Sequence, residues 1–595
     1  MDALEDLIWK EGLRNAVKFK GVANDKAVLS KIMRDHAEFR SRSAEVKTKV
    51  DSIIGQINAL DLGTQTKKLL AIDPHALDPE EKKGPEEKHL PELPNAQPGK
   101  VVMRLAPYPS GALHIGNARM IILNDEYVKK YNGKLVLVFD DTIGTTLAEM
   151  NSPNAKFVIP ESYDLIREGL EWLGVKYHAE YFKSDRVELY QTEAANFINR
   201  GLAYVCNCDA ETFRSEYKAK GIECPCRNKP LEYHQEMYEK MKSGHIPEGG
   251  AVVRLKTGMD QKDPAIRDQV MMRISDAPHP KIGTKVRLWP TLEFSWGLDD
   301  HLLGITHIIR GSDLRKEGDI EQIIWKMQGW EAPVIKLYGR LNFSDEFKLS
   351  KTFQRNQIQK GFYEGWNDPR TWSLQSLKTR GIYQEALRET IVELGLSMRD
   401  IIFDKAWVYA KNKKIIDPIS ERYWFVENAR PLRVTGIPMT EFVAKPLLIP
   451  SDESKGNRSI PIQIKNGVSE FYIPDLDLQP EQTEKGKILH EQVKVGDILR
   501  MKDMFNIQIT HLNHEVEAKF VSVEKESSVR KIQCVPKDQN VIMKVLKPEG
   551  IVTEGFGEYN LTRLKPGSIV QFERYGFVRL QKISPQEVYG YFIND

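Results

Sequence analysis

A multidomain chain that joins α/β and all-β parts behind a helical N-terminus is predicted by three observations. The 595 residues exceed what one hydrophobic core usually holds and suit three or four domains. Strand-like and helical runs alternate from about residue 100 onward. Beyond about residue 405 short β-rich runs broken by Gly, Pro and Asp turns take over. Hydrophobic residues make up 41% and charged residues 29%, which permits large cores and excludes wholesale disorder.

Residues 1–71 read as helices. Val46, Val50, Ile53, Ile54 and Ile57 recur at three- and four-residue steps, and Leu4, Leu7, Ile8 and Val17 do the same earlier. Residues 72–99 carry Pro74, Pro79, Pro85, Pro91, Pro94 and Pro98 among Glu and Lys, a composition that prevents regular structure and predicts a linker or an arm over the next domain. Residues 100–355 follow with buried-strand patterns at Val101–Leu105, Lys134–Phe139 and Pro333–Tyr338, and a helical pattern at Asn117–Tyr131. That alternation predicts a doubly wound α/β domain. Residues 406–595, with runs such as Tyr423–Val426, Ile460–Ile464, Val541–Val545 and Ser568–Phe572, predict β-barrels or sandwiches.

Two segments carry chemistry. Arg104-Leu-Ala-Pro-Tyr-Pro-Ser-Gly-Ala-Leu-His-Ile-Gly-Asn117 takes a buried strand through a Pro/Gly turn into a helix start. Close backbone approach, unpaired N–H groups and a positive dipole there suit ATP, and His114 can donate to a phosphate oxygen. Phe347-Lys348-Leu349-Ser350-Lys351-Thr352 brings two ammonium groups around a small hydroxyl, fit to neutralise charge as pyrophosphate leaves. Either alone is commonly an ordinary loop. Together, in this order, they resemble the HIGH and KMSKS motifs of class I aminoacyl-tRNA synthetases. Phe139-Asp140-Asp141-Thr142, Trp172-Leu-Gly174, Ser184-Asp-Arg186, Gly304-Ile-Thr-His-Ile-Ile-Arg310-Gly311, Gly365-Trp-Asn-Asp-Pro-Arg370 and Gln571-Phe-Glu-Arg-Tyr-Gly-Phe577 extend the resemblance to the glutamyl/glutaminyl branch. The β-rich C-terminal third, with Asn412-Lys-Lys-Ile-Ile-Asp-Pro418, is similar to its archaeal and eukaryotic glutamyl type.

The resemblance implies a Rossmann-like class I catalytic domain with an acceptor-end insertion at about 190–285, a helical connector over 356–405 and β-barrel anticodon-binding domains. It implies ATP with Mg2+, ligation of glutamate to tRNA(Glu) through an adenylate, and a cytoplasmic monomer. Charging of tRNA(Gln) as well stays open. His114, Lys348, Ser350 and Lys351 would be catalytic, and Pro107, Gly111, Gly116, Asn117 and Leu349 would complete the ATP site. Arg104, Ala106, Asp140, Leu292 and Arg310 would meet the amino acid. Lys378, Arg380, Arg422, Tyr423, Arg574 and Phe577 would meet tRNA.

Arg310 chooses between substrates. Glutaminyl relatives carry a small uncharged residue there, whereas a guanidinium suits a side-chain carboxylate, and glutamine would leave it partly unpaired at a cost of roughly 1–3 kcal/mol. A glutaminyl enzyme and a non-catalytic RNA-binding relative are the alternatives. Asn117 stands where the motif has its second His, Val138 where the family usually has Arg, Ile143 where it often has Asn or Asp, and Leu292 where many relatives have a pocket tyrosine. Cys206, Cys208, Cys224 and Cys226 form a CxC–x15–CxC cluster, open to two readings: a structural zinc or packed thiols.

Composition excludes other classes. Five cysteines exclude a disulfide-built scaffold. With 86 basic and 84 acidic residues, histone-like electrostatic binding is excluded. The apolar runs are too short to cross a bilayer, and the acidic amphipathic N-terminus does not read as a secretory signal.

Overall fold

A computed structural model describes residues 3–36, 39, 42–74, 76, 90–152, 155–482, 488–525 and 528–595. The chain divides into two compact units, Met1–Lys88 and His89–Asp595. Most of the predicted Pro-rich segment before residue 90, including Pro79 and Pro85, lies outside the described residues.

The first unit packs helices Ala3–Lys18, Asp25–Asp35, Ser43–Asn58 and Leu62–Ile72. Val46, Val50, Ile53, Ile54 and Ile57 are all buried, as their spacing requires. Gly12 permits the close crossing of two helices: a Cβ there would come 2.6 Å from Ile57. Asn24 and Asp61 cap two helix starts by accepting from Ala27 N and Thr64 N.

The second unit begins with an arm, residues 90–98, packed on the α/β core. Tyr127 Oη donates to the Pro91 carbonyl at 3.0 Å, and Tyr131 Oη accepts from Leu93 N at 2.8 Å. The core sheet runs Val102–Leu105, Lys134–Phe139, Ala179–Phe182, all parallel. Thr306 bonds to both Val102 backbone groups, which sets the parallel pair His307–Gly311 and Val334–Tyr338 along the first strand. Strands Ala203–Cys206, Val252–Leu255, Val270–Ile274 and Leu288–Pro290 form a separate antiparallel sheet with its own apolar core.

After the α/β core, the short helix Leu374–Arg380 joins two regions. At its start Leu374 N donates to the Leu113 carbonyl (2.8 Å), and Ile115 N donates to the Trp372 carbonyl (3.0 Å). At its end the Arg380 guanidinium donates to the Phe592 and Ile593 carbonyls at 3.1 and 2.8 Å.

The C-terminal region holds two seven-stranded sheets. One runs Glu421–Tyr423, Ile569–Phe572, Gly576–Ile583, Glu587–Asn594, Asn540–Leu546, Val552–Glu558, Phe425–Glu427. The other runs Arg530–Ile532, Ile498–Met501, Asn506–Leu512, Val516–Ser522, Ala429–Thr435, Ser469–Pro474, Val535–Pro536. In both, the two edge strands are near neighbours in the chain. Each sheet therefore curls until its edges nearly meet, which protects them from pairing with other chains.

Candidate active site

The turn after Val102–Leu105 leads into helix Ile115–Lys130 at His114. His114 Nδ1 accepts from Gly116 N at 3.1 Å, and Asn117 Oδ1 accepts from His114 N at 3.1 Å, a reciprocal cap of the helix start. The amide at position 117 thus has a structural task at the helix start. Burial, reinforced by the Lys351 ammonium, drives the His114 pKa down to about 3. The ring is therefore neutral at working pH. With Nδ1 accepting, the proton sits on Nε2, which remains a donor for a phosphate oxygen. Gly111 has φ +146°, and a Cβ there would come 2.5 Å from the Trp366 ring. Asp140 N donates to the Pro107 carbonyl at 3.1 Å and ties the turn to the neighbouring strand end.

Lys351 opens helix Lys351–Gln359, which Ser350 caps by accepting from Phe353 N. Its Nζ reaches the Gly111 carbonyl at 3.4 Å, and burial lowers its pKa to about 8. His114 and Lys351 thus converge on one turn. Lys348, in the left-handed region at φ +38°, and Ser350 are exposed, and with Leu349 they line an open cavity of about 520 Å3. Gln354 pins this loop by donating to the Lys348 carbonyl at 3.1 Å.

Beside the turn lies a cluster of buried charge. The Arg104 guanidinium pairs with Asp300, with Nη2 2.9 Å from Oδ2 and Nε on Oδ1. Arg310 donates from both terminal nitrogens to Glu321, at 3.0 and 2.8 Å. Asp140 is held by Lys183 at 3.1 Å, and Lys183 also donates to Ser295 Oγ at 2.7 Å. The cations of Arg104 and Lys183 stand 3.6 and 3.7 Å from the Trp296 ring. Ala106 and Leu292 pack against the apolar cluster that contains Trp296. Sequence reasoning missed Lys183, Asp300, Glu321 and Trp296. Its Asp141 is a structural hub, accepting from Tyr163 Oη at 2.8 Å and from Ser184 N and Oγ at 2.8 and 2.7 Å.

Residues 100–416 match the model of the tRNA synthetases class I (E and Q) catalytic domain. Residues 420–526 and 516–581 match two models of the anti-codon binding domain of the same enzymes. The chain belongs to this family. Glutamate–tRNA ligases of Pyrococcus abyssi, Thermococcus kodakarensis and Methanocaldococcus jannaschii are 40%, 39% and 37% identical to this class I synthetase. The matches cover 98%, 100% and 97% of this chain and 98%, 100% and 98% of those proteins. A crystal structure of a glutamate tRNA ligase from Elizabethkingia meningosepticum aligns over 54% of this chain and 70% of its own, with TM-score 0.39 and 19% identity.

Half of the side chains expected to meet tRNA are corrected by their burial in this class I synthetase. Arg380 is fully enclosed and spent on the last strand's carbonyls and on Tyr409 Oη. Tyr423 belongs to a barrel core, whereas Phe577, on the opposite face of its strand from Val578 and Leu580, packs into the core of the α/β region and connector. Arg422 is half-buried against Asp417. Lys378 and Arg574 are exposed, the latter paired with Asp477 at 2.5 Å.

The four clustered cysteines meet at the insertion sheet's end, with their sulfurs all within 4.8 Å of one another. Cys206 and Cys224 sulfurs lie 3.9 Å apart, and Cys208 and Cys226 sulfurs 3.6 Å. Four thiolates about 2.3 Å from one zinc would stand about 3.8 Å apart at tetrahedral angles, so the residues present fit that ion.

Proposed function

We propose that the chain activates L-glutamate with Mg-ATP and transfers it to tRNA(Glu). The observation that carries this reading is Arg310, a buried guanidinium at the pocket floor whose Nε has no partner within the protein. A side-chain carboxylate can complete it and a carboxamide completes it less well. The full-length similarity to glutamate–tRNA ligases supports the same choice.

In the first step the substrate α-carboxylate attacks the α-phosphorus of ATP in line, giving glutamyl-adenylate and pyrophosphate. His114 Nε2–H and the Lys351 and Lys348 ammonium groups stabilise charge on the departing phosphates, while Ser350 shapes the loop. In the second step the 2′-OH of the terminal ribose attacks the mixed anhydride and releases AMP. Arg104 and Asp140 orient the amino acid by its carboxylate and ammonium, so most of the rate enhancement is positioning and electrostatics. The four cysteines would hold one structural Zn2+ in the insertion, without a part in the chemistry. The enzyme acts as a cytoplasmic monomer. Among the described residues no helix is long and apolar enough to cross a membrane.

ATP–pyrophosphate exchange tests the reading, with glutamate or glutamine and with or without tRNA. Exchange with glutamate that disappears in Arg310→Ala supports it. Exchange with glutamine alone would transfer the assignment to a glutaminyl enzyme. Separate transcripts of tRNA(Glu) and tRNA(Gln) decide whether one or both are charged.

A further inference from the structure

The charged floor of the amino-acid pocket is balanced before any substrate enters. Arg104 has Asp300, Lys183 has Asp140 and Arg310 has Glu321, and all six residues are buried. Glutamate adds a side-chain charge to this enclosure, whereas glutamine adds none. Net charge in the pocket therefore does not favour glutamate, so the discrimination has to come from how Arg310 is shared.

The geometry of that pair is tightly constrained. Glu321 lies on helix Arg315–Gln328 with no exposed surface, and both its oxygens accept from Arg310. On the same helix, a Cβ at Gly318 would come 2.6 Å from Arg310 Nη2, so the guanidinium rests against the helix backbone. A side chain at position 318 would displace it from this seat. Nε of Arg310 stays buried and unpartnered. Other charged groups facing Glu321 are Asp300 and Arg104, from helix Leu292–Leu302 and strand Val102–Leu105. Burial holds the Glu321 carboxyl above the usual carboxylate range, Arg310 and Arg104 pull it down, and Asp300 adds to the rise.

A γ-carboxylate that reaches the free edge of Arg310 must share one guanidinium with Glu321. Two carboxylates around a single cation in a low-dielectric enclosure do not both stay ionised. We propose that Glu321 is a specificity-determining residue that takes up one proton from solvent as the substrate's γ-carboxylate binds Arg310. Glutamate then enters with a compensating proton, and glutamine enters without one. This rests on the reading that Arg310 meets the substrate side chain.

The test is calorimetric, on the full chain with tRNA(Glu) transcript and a non-hydrolysable ATP analogue present. L-glutamate is titrated at one pH in two buffers of different ionisation enthalpy, and then from about pH 6.5 to 8.5. The expected result is uptake of one proton and a Kd that rises with pH, up to about tenfold per pH unit. In Glu321→Gln, which keeps an acceptor oxygen for Arg310, uptake vanishes and the Kd becomes flat. Glutamate binding by the unsubstituted enzyme without proton uptake overturns the proposal, whatever the variant does. Uptake that persists in Glu321→Gln overturns it as well. Unchanged glutamate affinity in Arg310→Gln would instead overturn the pocket reading beneath it.

Discussion

Replacing Lys183 by Met removes a charge from a fully enclosed position with little change in volume. The variant loses the 3.1 Å bond to Asp140, the 2.7 Å bond to Ser295 Oγ and the cation 3.7 Å from the Trp296 ring. Asp140 keeps only the Thr142 hydroxyl, at 3.3 Å, as a side-chain partner. Removing one member of a buried ion pair typically costs about 3–5 kcal/mol. Hydrogen exchange at the amides of strand Lys134–Phe139 reads this locally, without requiring the whole chain to unfold in one step. A loss below about 1 kcal/mol would refute the reasoning.

Two further outcomes are expected. Lys351, held down to about 8, loses its charge as pH rises through that value. Pyrophosphate exchange at saturating glutamate should therefore fall on the alkaline side and flatten in Lys351→Arg. No acid limb should appear near pH 6.5, because His114 titrates near 3. Metal analysis should find one zinc per chain, and Cys208→Ser should lower both that stoichiometry and the thermal midpoint of the insertion. Zinc-free protein with an unchanged midpoint would leave the cluster as packed thiols.

What could be read from the sequence was local. The buried face Val46, Val50, Ile53, Ile54, Ile57 follows from helical period alone, and the strand Lys134–Phe139 from an unbroken apolar run. The strand-to-helix turn was legible because its determinants lie within fourteen residues, from Arg104 to Asn117. The pocket was only half legible. Arg104 and Asp140 stood out in motifs, but their partners Asp300 and Lys183 come from other elements, Asp300 lying 196 residues after Arg104. Nothing local marks such a pair. Three of the side chains expected to meet tRNA, Arg380, Tyr423 and Phe577, are buried for a related reason. Tyr423 and Phe577 have the aromatic character of stacking residues, but strand register decides whether such a side chain faces a base or the protein interior. Arg380 was expected to meet tRNA, and only the fold shows it facing the carbonyls of the last strand.

That arginine also explains how the catalytic and C-terminal regions keep a fixed relation. Helix Leu374–Arg380 is two turns long, about 10 Å at 1.5 Å per residue. Its first residue is hydrogen-bonded to Leu113, immediately before His114, and its last to the strand that ends the chain. Around it, Arg579 donates to the Lys378 carbonyl at 2.7 Å, and Trp366, whose carbonyl accepts from Thr371 Oγ1 at 2.9 Å, covers Gly111. A helix this short has too few turns to bend smoothly, and its buried bonds at both ends would each be costly to leave unmade. The turn before His114 therefore takes its orientation from the same rigid element that docks the C-terminal barrel. The helix start at His114 is placed by contacts to its own strand, to the connector and, through Arg380, to residues near the chain's end.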